Sequence, residues 1–308
     1  MRCIVTGGAG FIGSHLATQL VEAEHEVLIV DNLSTGKTEN IPAAAEFLEA
    51  DINNVESLAS IKGFNPDVIF HLAAQISVRN SVADPTYDGQ TNILGTLNMA
   101  QIGISCAIQK FIFISTGGAI YGEQQSFPAD ENHPVAPESP YGLSKYCAEK
   151  YLNYLYRKEQ LPYLVLRLAN IYGPRQDPHG EAGVVAIFSQ RMLANETPRI
   201  NGDGLQTRDF VYVGDVAAAA LCALKSNIDN GVFNIGTGKE TDINTLAAII
   251  QKHAAYTGEI ARGPELPGEQ KRSVIASSLA EKQLNWRPQT DLDAGLAKTV
   301  AWFKQKIS

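Results

Sequence analysis

A glycine-rich turn near the amino terminus constrains the fold of this chain more than any other stretch. Residues 6–13 have the sequence TGGAGFIG, with a short apolar run before them and apolar residues at helical spacing after them. This order predicts a strand, a tight turn and a helix whose free N–H groups face the phosphates of a dinucleotide. Gly7 would permit the turn, Gly10 the close approach of a pyrophosphate, and Gly13 the packing of helix against strand.

Strands and helices alternate from this turn onward, which predicts a parallel sheet covered by helices on both faces. We expect an α/β fold: a doubly wound parallel sheet (Rossmann) over residues 1–170 and a smaller α/β substrate lobe over 171–308. Residues from about 210 to 236 are expected to return to the large sheet as a strand, an Ala-rich helix and a strand. Buried strands are expected at 26–30, 47–52, 67–74, 110–114 and 163–168, and helices at 87–102, with Asn92 facing inward, and from residue 140.

Bulk composition argues against several classes of partner. The 308 residues carry a formal net charge of −8, whereas nucleic acids and anionic membrane surfaces require clustered Lys and Arg. No apolar run approaches the roughly 20 residues of a membrane span, and the first strand begins too early to leave room for a signal peptide. We therefore expect a cytoplasmic protein. Four cysteines and six histidines show no metal-ligand spacing, so we expect no bound metal.

The residue that follows the second strand indicates the cofactor. Asp31 lies about 20 positions past the glycine turn, where a carboxylate hydrogen-bonds the adenosine ribose of NAD and repels the extra phosphate of NADP. NAD is therefore the expected cofactor. Asp51 is expected either to meet the adenine amino group or to cap the helix that starts near Asn53. The other residues expected in the cofactor site are Phe11, Ile12, Asn32, Ile52, Leu72, Ala73, Ala74 and Asn92.

Four side chains predict proton transfer at a hydroxyl. Tyr141 and Lys145 are four residues apart at the start of a predicted helix, so they lie on one face, one turn apart. A tyrosine with its usual pKa near ~10 is a poor base, and a lysine ammonium together with an oxidised nicotinamide would lower that pKa. A hydroxyl from Thr116 or Ser115, at the end of a strand, is expected to orient the substrate oxygen. This combination is suited to interconverting a hydroxyl and a carbonyl.

Together these motifs resemble the extended short-chain dehydrogenase/reductase family over nearly the whole chain. Within that family the chain is most similar to NAD-dependent epimerases/dehydratases that act at C4 of nucleotide sugars, of the UDP-glucose type. The resemblance implies epimerisation of UDP-glucose and UDP-galactose through a transient 4-keto sugar. The matching motifs are TGGAGFIG, HLAA at 71–74, YGLSK at 141–145, RLANIYGP at 167–174 and QTRDFVYVGD at 206–215.

The resemblance also assigns roles to individual residues. Tyr141 would be the catalytic base, and Lys145 its electrostatic partner and a ligand of the cofactor ribose. Thr116 would be the orienting hydroxyl, preferred over Ser115 because it keeps the spacing to the tyrosine. The family further implies a homodimer, formed through the helices around Asn92 and Tyr141.

Binding of the nucleotide diphosphate is implied for Asn170 and Arg208, the arginine through a charge-assisted fork. One departure concerns a nearby loop, where the family has an arginine and this chain has Leu266 in the sequence LPGE. We expect Arg262 or Arg272 to supply the missing charge.

Two further departures bear on the reaction. Ser273 falls where a tyrosine closes the sugar pocket in epimerases restricted to unacetylated sugars, so UDP-GlcNAc and UDP-GalNAc stay open beside UDP-Glc and UDP-Gal. Gly117 and Gly118 follow Thr116 where the related 4,6-dehydratases carry Asp-Glu, which argues against dehydration because glycine cannot move a proton.

Two alternatives remain at this stage. One is a UDP-glucuronate 4-epimerase or decarboxylase, which would prefer a carboxylated sugar. The other is a non-catalytic NAD-binding sensor on the same scaffold. The presence of Tyr141, Lys145 and Thr116 argues against the sensor, because a sensor has no need of a base.

Overall fold

The chain folds into strands and helices that follow one another in the order of an α/β protein. The computed structural model describes residues 1–179, 183–265, 268 and 270–307. The strands are β1 (Arg2–Thr6), β2 (Glu26–Asp31), β3 (Glu46–Glu49), β4 (Val68–His71), β5 (Lys110–Thr116), β6 (Tyr163–Leu168), β7 (Asn170–Tyr172), β8 (Arg199–Asn201), β9 (Thr207–Arg208), β10 (Phe210–Tyr212), β11 (Asn230–Ile235), β12 (Thr241–Asp242), β13 (Ala261–Gly263) and β14 (Arg272–Ser273). The helices are α1 (Phe11–Glu22), α2 (Val55–Gly63), α3 (Val78–Ala83), α4 (Pro85–Gly89), α5 (Gly95–Ser105), α6 (Gly117–Ile120), α7 (Pro140–Glu159), α8 (Val184–Leu193), α9 (Val213–Lys225), α10 (Ile243–Ala254), α11 (Ser278–Leu284) and α12 (Leu292–Ile307), with a 3-10 turn at Thr38–Asn40 and a π-helical turn at Gln90–Leu94.

A parallel sheet of seven described strands forms the centre of the protein, in the order β11-β6-β5-β4-β1-β2-β3. Its inner strands are nearly continuous apolar runs, as expected for parallel strands buried on both faces. The strand order reverses between β1 and β4, and ligands of such sheets bind beyond the carboxyl ends at that point. The predicted doubly wound α/β fold is confirmed, and the sheet directs attention to the loops after β1, β4 and β5.

Two helical layers cover the sheet. Neighbouring residues of β1 alternate between them: Val5 belongs to the apolar cluster that includes residues of α1, α9 and α11, whereas Ile4 belongs to the cluster that includes residues of α2, α5 and α7. Both layers exclude water from the strand side chains, since residues of β1, β4 and β5 are almost completely buried. Each layer therefore holds the carboxyl ends of the strands in fixed positions relative to the helix starts.

A smaller cluster of elements lies beyond β6. Helices α8, α10 and α12 pack around Tyr172, Ile200 and Phe210 in a separate apolar core. Small sheets join its loops: β7 pairs with β10, β8 with β13, and β9 lies between β12 and β14. These short ladders bring residues that are distant in the sequence next to one another. The proposed division of the chain into a domain of 1–170 and a lobe of 171–308 remains a prediction.

The structure corrects the expected path of the chain after residue 209. Strand β10 does not join the large sheet, because Phe210–Tyr212 pairs in parallel with Asn170–Tyr172 instead. Only α9 and β11 return to it, and β11 pairs with β6 along its full length. The expected strand 67–74 is also shorter, since β4 ends at His71 and the following N–H groups donate to Thr6. Short apolar runs do not specify their partners, and side-chain hydrogen bonds decide where pairing stops.

Several negative observations hold for the part of the chain that the structure describes. There, no helix has both the length and the apolarity that crossing a membrane would need. The same residues bring together no group of three or more His, Cys, Asp or Glu side chains suited to a metal ion. The four cysteines are free thiols.

Replacing Gly13 by alanine is expected to destabilise the fold by about 3 kcal/mol, because the new methyl group overlaps backbone atoms of Gly7 and Gly8. Gly63→Ala is the matched control, since a methyl group at the end of α2 meets nothing within 4 Å. That change should leave the free energy of unfolding within about 1 kcal/mol of the parent protein. Urea denaturation followed by circular dichroism measures both. Equal stability of the two variants would contradict this role for Gly13.

Candidate active site

Three glycines of the first turn are required for different structural reasons. Gly7 has a positive φ of 67°, and a Cβ there would lie 2.8 Å from the backbone nitrogen of Ala73. A Cβ at Gly13 would overlap the carbonyl oxygen of Gly7, so helix and turn touch only because Gly13 has no side chain. Gly10 has an ordinary φ of −79°, and a Cβ there would meet only Gly7 O, at 3.2 Å. Packing therefore explains Gly7 and Gly13, whereas Gly10 keeps the outer side of the turn clear.

The start of α1 is suited to an anion. Gly10 precedes the helix, no side chain caps this end, and the first turn contains no acidic residue. The partial positive charge of a helix N-terminus is therefore not cancelled by the protein itself. Asp31 lies beside the turn, buried at the end of β2, where it accepts hydrogen bonds from Ala9 N at 3.0 Å and Leu33 N at 2.9 Å. A phosphate-binding turn with a carboxylate at the next strand end fits the diphosphate and ribose of NAD.

The residues expected at the adenine end also come together. Asn32 donates to Asp51 Oδ2 at 3.0 Å, and the other carboxylate oxygen of Asp51 accepts from Asn53 N at 2.8 Å. Helix α2 is capped instead by Asn54, whose side chain accepts from Glu56 N. Asp51 is therefore not the helix cap, and the adenine role remains a prediction. Ile52 is buried below this pair in the apolar core.

Two polar side chains hydrogen-bond the backbone of the loop after β4. Leu72 N and Ala73 N both donate to the hydroxyl of Thr6, at 3.1 Å. Asn92 faces inward, as expected, and its amide bonds the N–H and the carbonyl of Gln75, each at 2.9 Å. Residues 72–74 are thus fixed in position beside the glycine turn, and Asn92 binds groups of the protein itself.

Thr116 and Tyr141 are in contact at the carboxyl end of β5. The Thr116 hydroxyl hydrogen-bonds the Tyr141 side chain and also accepts from Ala119 N at 3.2 Å, which caps α6. Lys145 is buried one turn along α7, with Nζ 4.1 Å from the centre of the Phe113 ring. The predicted one-face arrangement of tyrosine and lysine is therefore present, next to the expected threonine.

The pKa of Tyr141 does not shift in the expected direction in the protein alone. Burial, with a contribution from the Asp88 carboxylate, raises it to about 12, although the hydrogen bond with Thr116 lowers it in part. Burial lowers the pKa of Lys145 to about 7, against Glu149 and Asp88, which raise it. Loss of hydration is therefore the largest influence on the pKa of both groups. Forming the phenolate near neutral pH requires further positive charge at this site.

Ser115 faces a different environment from Thr116. Its hydroxyl donates to Glu149 Oε1 at 2.6 Å, and Glu149 forms a buried bidentate ion pair with Arg167. Arg167 in turn donates to the Tyr121 hydroxyl at 3.0 Å. The Ser115 hydroxyl is thus bonded to Glu149, whereas the Thr116 hydroxyl bonds Tyr141. This placement favours Thr116 over Ser115 as the orienting hydroxyl.

The sequence analysis missed this buried ion pair, although an indication was present. Arg167 lies in the otherwise apolar strand Tyr163–Leu168, and a buried guanidinium requires a carboxylate partner. Glu149, four residues after Lys145 on α7, is on the helix face that meets the strand. The sequence does not pair the two because 18 residues and a loop separate them.

Small sheets assemble the residues expected to bind substrate. Ser273 pairs directly with Arg208 where β14 runs beside β9, and Asn170 N donates to Asp209 O on the neighbouring turn. Arg272 forms an ion pair with Glu240 at 2.6 Å and lies over the ring of Phe127.

Of the two arginines suggested to replace the missing loop arginine, Arg272 lies on a strand next to Arg208. Arg262 is on β13 and donates to Asp203 O at 3.0 Å, in a different small sheet. Leu266, with Pro267 and Glu269, lies outside the described residues. Arg272 is thus the nearer of the two along the sheet, but it pairs with Thr207 and binds Glu240, so its role as the replacement cation remains a prediction.

The glycines after Thr116 leave space at the reacting end of the site. A Cβ at Gly118 would find only the Thr116 hydroxyl, at 4.0 Å. Gly117, by contrast, packs against Ile275. Neither position brings a carboxyl group to Tyr141, whose side chain hydrogen-bonds the Thr116 hydroxyl.

Comparisons with known families and proteins agree with this geometry. A family model described as "NAD dependent epimerase/dehydratase family" matches residues 3–236. The UDP-glucose 4-epimerase of Mycolicibacterium smegmatis is 42% identical over 311 residues, covering 99% of each chain. The UDP-glucuronic acid decarboxylase 1 of Xenopus tropicalis is more distant, at 30% identity over 99% of this chain and 73% of its own.

Solved structures resemble the whole chain. The UDP-glucose 4-epimerase of Thermotoga maritima, crystallised with UDP-glucose, is 46% identical and superposes with a TM-score of 0.97 over 100% of both chains. The UDP-glucose 4-epimerase of Thermus thermophilus, in complex with NAD, is 40% identical, with a TM-score of 0.93 over 99% of both chains.

Gly10→Ala is expected to weaken NAD binding at least about tenfold, because the methyl group occupies the side of the turn that the pyrophosphate approaches. Stability should fall by no more than about 1 kcal/mol, since only Gly7 O must yield. Isothermal titration of cofactor-free protein with NAD, paired with urea denaturation, separates the two effects. The control Gly63→Ala should keep the affinity of the parent, and unchanged affinity in Gly10→Ala would contradict the assignment.

Proposed function

Because the chain belongs to the NAD dependent epimerase/dehydratase family, we propose that it is an NAD-dependent 4-epimerase that interconverts UDP-glucose and UDP-galactose. The observation that carries this proposal is the contact between Thr116 and Tyr141, with Lys145 buried one turn away. Glycines at 117 and 118 leave no acid for dehydration. Relatives named UDP-glucose 4-epimerase match the chain from end to end, which supports the same reaction.

Tyr141 acts as the base for the sugar 4-hydroxyl. The Thr116 hydroxyl, already bonded to the tyrosine, orients the same oxygen so that the proton moves along a short path. NAD, when bound, supplies a reversible acceptor for the hydrogen at C4. The positive charge of its oxidised ring would also lower the pKa of Tyr141, which burial raises in the protein alone. Tyr141 later returns the proton, so no net proton or reducing equivalent is consumed.

Inversion at C4 requires that the transient 4-keto sugar present its other face. Arg208 would hold the diphosphate, with Asn170 and Arg272 beside it, so that the sugar turns about a fixed anchor. Arg272 is paired with Glu240 in this structure, and a diphosphate is a stronger acceptor than one carboxylate. Anchoring through the nucleotide leaves the hexose free to rotate between Tyr141 and the substrate lobe.

N-acetylated sugars are a second candidate class of substrate. Ser273 lies directly across from Arg208, and its side chain is smaller than the tyrosine that closes the pocket in epimerases restricted to unacetylated sugars. We therefore keep UDP-GlcNAc and UDP-GalNAc beside the unacetylated pair. A carboxylated sugar is less favoured, since the relative that acts as a UDP-glucuronic acid decarboxylase is more distant.

We also propose that the protein is a homodimer and that it is cytoplasmic. Large apolar side chains are exposed on the helices around Asn92 and Tyr141, including Tyr87, Leu94 and Tyr154. Contiguous exposed apolar residues on neighbouring helices are typical of a protein interface. The free thiols fit a reducing compartment.

The purified protein is expected to convert UDP-galactose to UDP-glucose without stoichiometric formation of NADH. Tyr141→Phe should lower turnover by a factor of about 10²–10⁴, because the base is lost. Tyr146→Phe, on the same helix, is the matched control and should keep most activity. Nucleotide sugars separated by liquid chromatography, including UDP-GlcNAc and UDP-glucuronate, provide the measurement. Turnover of Tyr141→Phe equal to that of the parent would overturn the assignment of the base.

Light scattering after gel filtration should give twice the chain mass of 33.3 kDa. Tyr154→Asp and Leu94→Asp place a charge on the proposed contact helices and are expected to shift the mass to that of one chain. Val55→Asp, also an exposed apolar residue but on α2, should leave the dimer intact. A dimer that survives both contact variants would place the interface elsewhere.

A further inference from the structure

We propose that Asp88 is a positioning residue whose buried carboxylate keeps Lys145 charged beneath Tyr141. The inference rests on the proposed function, because it concerns the base and the lysine of that reaction. Neither the sequence motifs nor the proposed mechanism accounts for this residue.

Asp88 lies on α4 and is completely buried. Its Oδ1 accepts hydrogen bonds from Gln75 Nε2 at 2.8 Å and Asn92 Nδ2 at 3.0 Å. Its Oδ2 is equally buried and hydrogen-bonds none of the described residues. An unsatisfied anionic oxygen inside a protein costs free energy, so its presence calls for an explanation.

A hydrogen-bonded chain connects Asp88 to the helix that carries the base. Asn92 Nδ2, which donates to Asp88, also donates to Ser144 Oγ at 3.1 Å. Ser144 then donates to the backbone carbonyl of Tyr141 at 3.0 Å. The same asparagine binds the backbone of Gln75, in the loop that follows β4. Asp88 therefore joins the loop expected to face the cofactor to the first turn of α7.

Charged and aromatic groups from several elements surround Lys145. From α7 it faces Glu149, whose charge is already matched by Arg167 of β6. From β5 it faces the Phe113 ring, and from β4 the His71 ring. Burial, with a smaller contribution from Lys145, lowers the pKa of His71 to about 3, so that ring is neutral.

Asp88, on α4, therefore supplies the unmatched negative charge among the described groups that act on the lysine. Its charge raises the pKa of Lys145, which burial lowers, and it also raises the pKa of Tyr141. The positive charge of a bound, oxidised nicotinamide would offset the raised pKa of Tyr141. Lys145 would still keep its proton. Removal of the charge should move both pKa values downward.

Asp88→Asn keeps the shape and removes the charge. Both limbs of the kcat/KM profile against pH should move down by about one unit, because a lost anion lowers the pKa of Tyr141 and of Lys145 alike. One unit above the optimum of the parent, activity should then be reduced about tenfold. Asp88→Glu, which retains the charge, should return the profile to that of the parent.

Asp215→Asn is the matched control. Asp215 is also a buried carboxylate, but it accepts hydrogen bonds from Gln289 N and Thr290 N away from the tyrosine–lysine pair. The Asp215→Asn variant should be less stable than the parent protein, and its kcat/KM profile against pH should be unchanged. If Asp88→Asn does not fold, the smaller uncharged variant Asp88→Ser should show the same shift.

A second readout does not depend on turnover. The ¹³Cε shift of Lys145, in protein labelled with [¹³C]lysine and assigned with Lys145→Met, should titrate near the pKa of about 7 in the parent. In Asp88→Asn the midpoint should fall by about one unit. An unmoved titration and an unmoved pH profile, with reduced stability alone, would overturn the inference. If the parent does not interconvert nucleotide sugars, the proposed function fails, and the lysine titration still decides the role of Asp88.

Discussion

The burial of charge at the carboxyl edge of the sheet is the constraint on which the rest of the site depends. Lys145 lies among apolar and aromatic side chains, where an ammonium loses its hydration and tends to lose its proton. Two carboxylates oppose this loss, because each raises the pKa of Lys145. One belongs to the Glu149–Arg167 ion pair, which also binds Ser115, and the other is Asp88. The same burial keeps Tyr141 protonated until further positive charge arrives.

Hydrogen bonds link the elements that form the two halves of the site. Thr6, at the end of β1, holds the backbone after β4, and Asn92 holds the next part of that loop together with α7. The cofactor turn, the loop and the helix of the base are thus parts of one buried polar network. Such a network fixes these side chains relative to one another, because each partner comes from a different rigid element.

Much of this arrangement was accessible from the sequence. The turn at 6–13, Asp31, and the Tyr141–Lys145 spacing follow from rules about local structure, and each appears where the rules place it. Long-range pairing was less accessible. The strand at Phe210–Tyr212 was expected in the large sheet and pairs with β7 instead, since three apolar residues fit either partner. The choice of Thr116 over Ser115 became clear from their partners, because Ser115 donates to Glu149 whereas Thr116 hydrogen-bonds Tyr141.

The sequence by itself determined the fold class, the glycine turn with its carboxylate, and the placement of Tyr141 and Lys145 one turn apart on a helix. These features depend on residue types at short spacing, which backbone geometry converts directly into position. Only the tertiary structure decided the state of those groups. It brought Asp88, Glu149 and Arg167 together from separate elements, and it showed that burial opposes the tyrosinate. Hydration and long-range charge are properties of the assembled interior, so no local pattern in the chain records them.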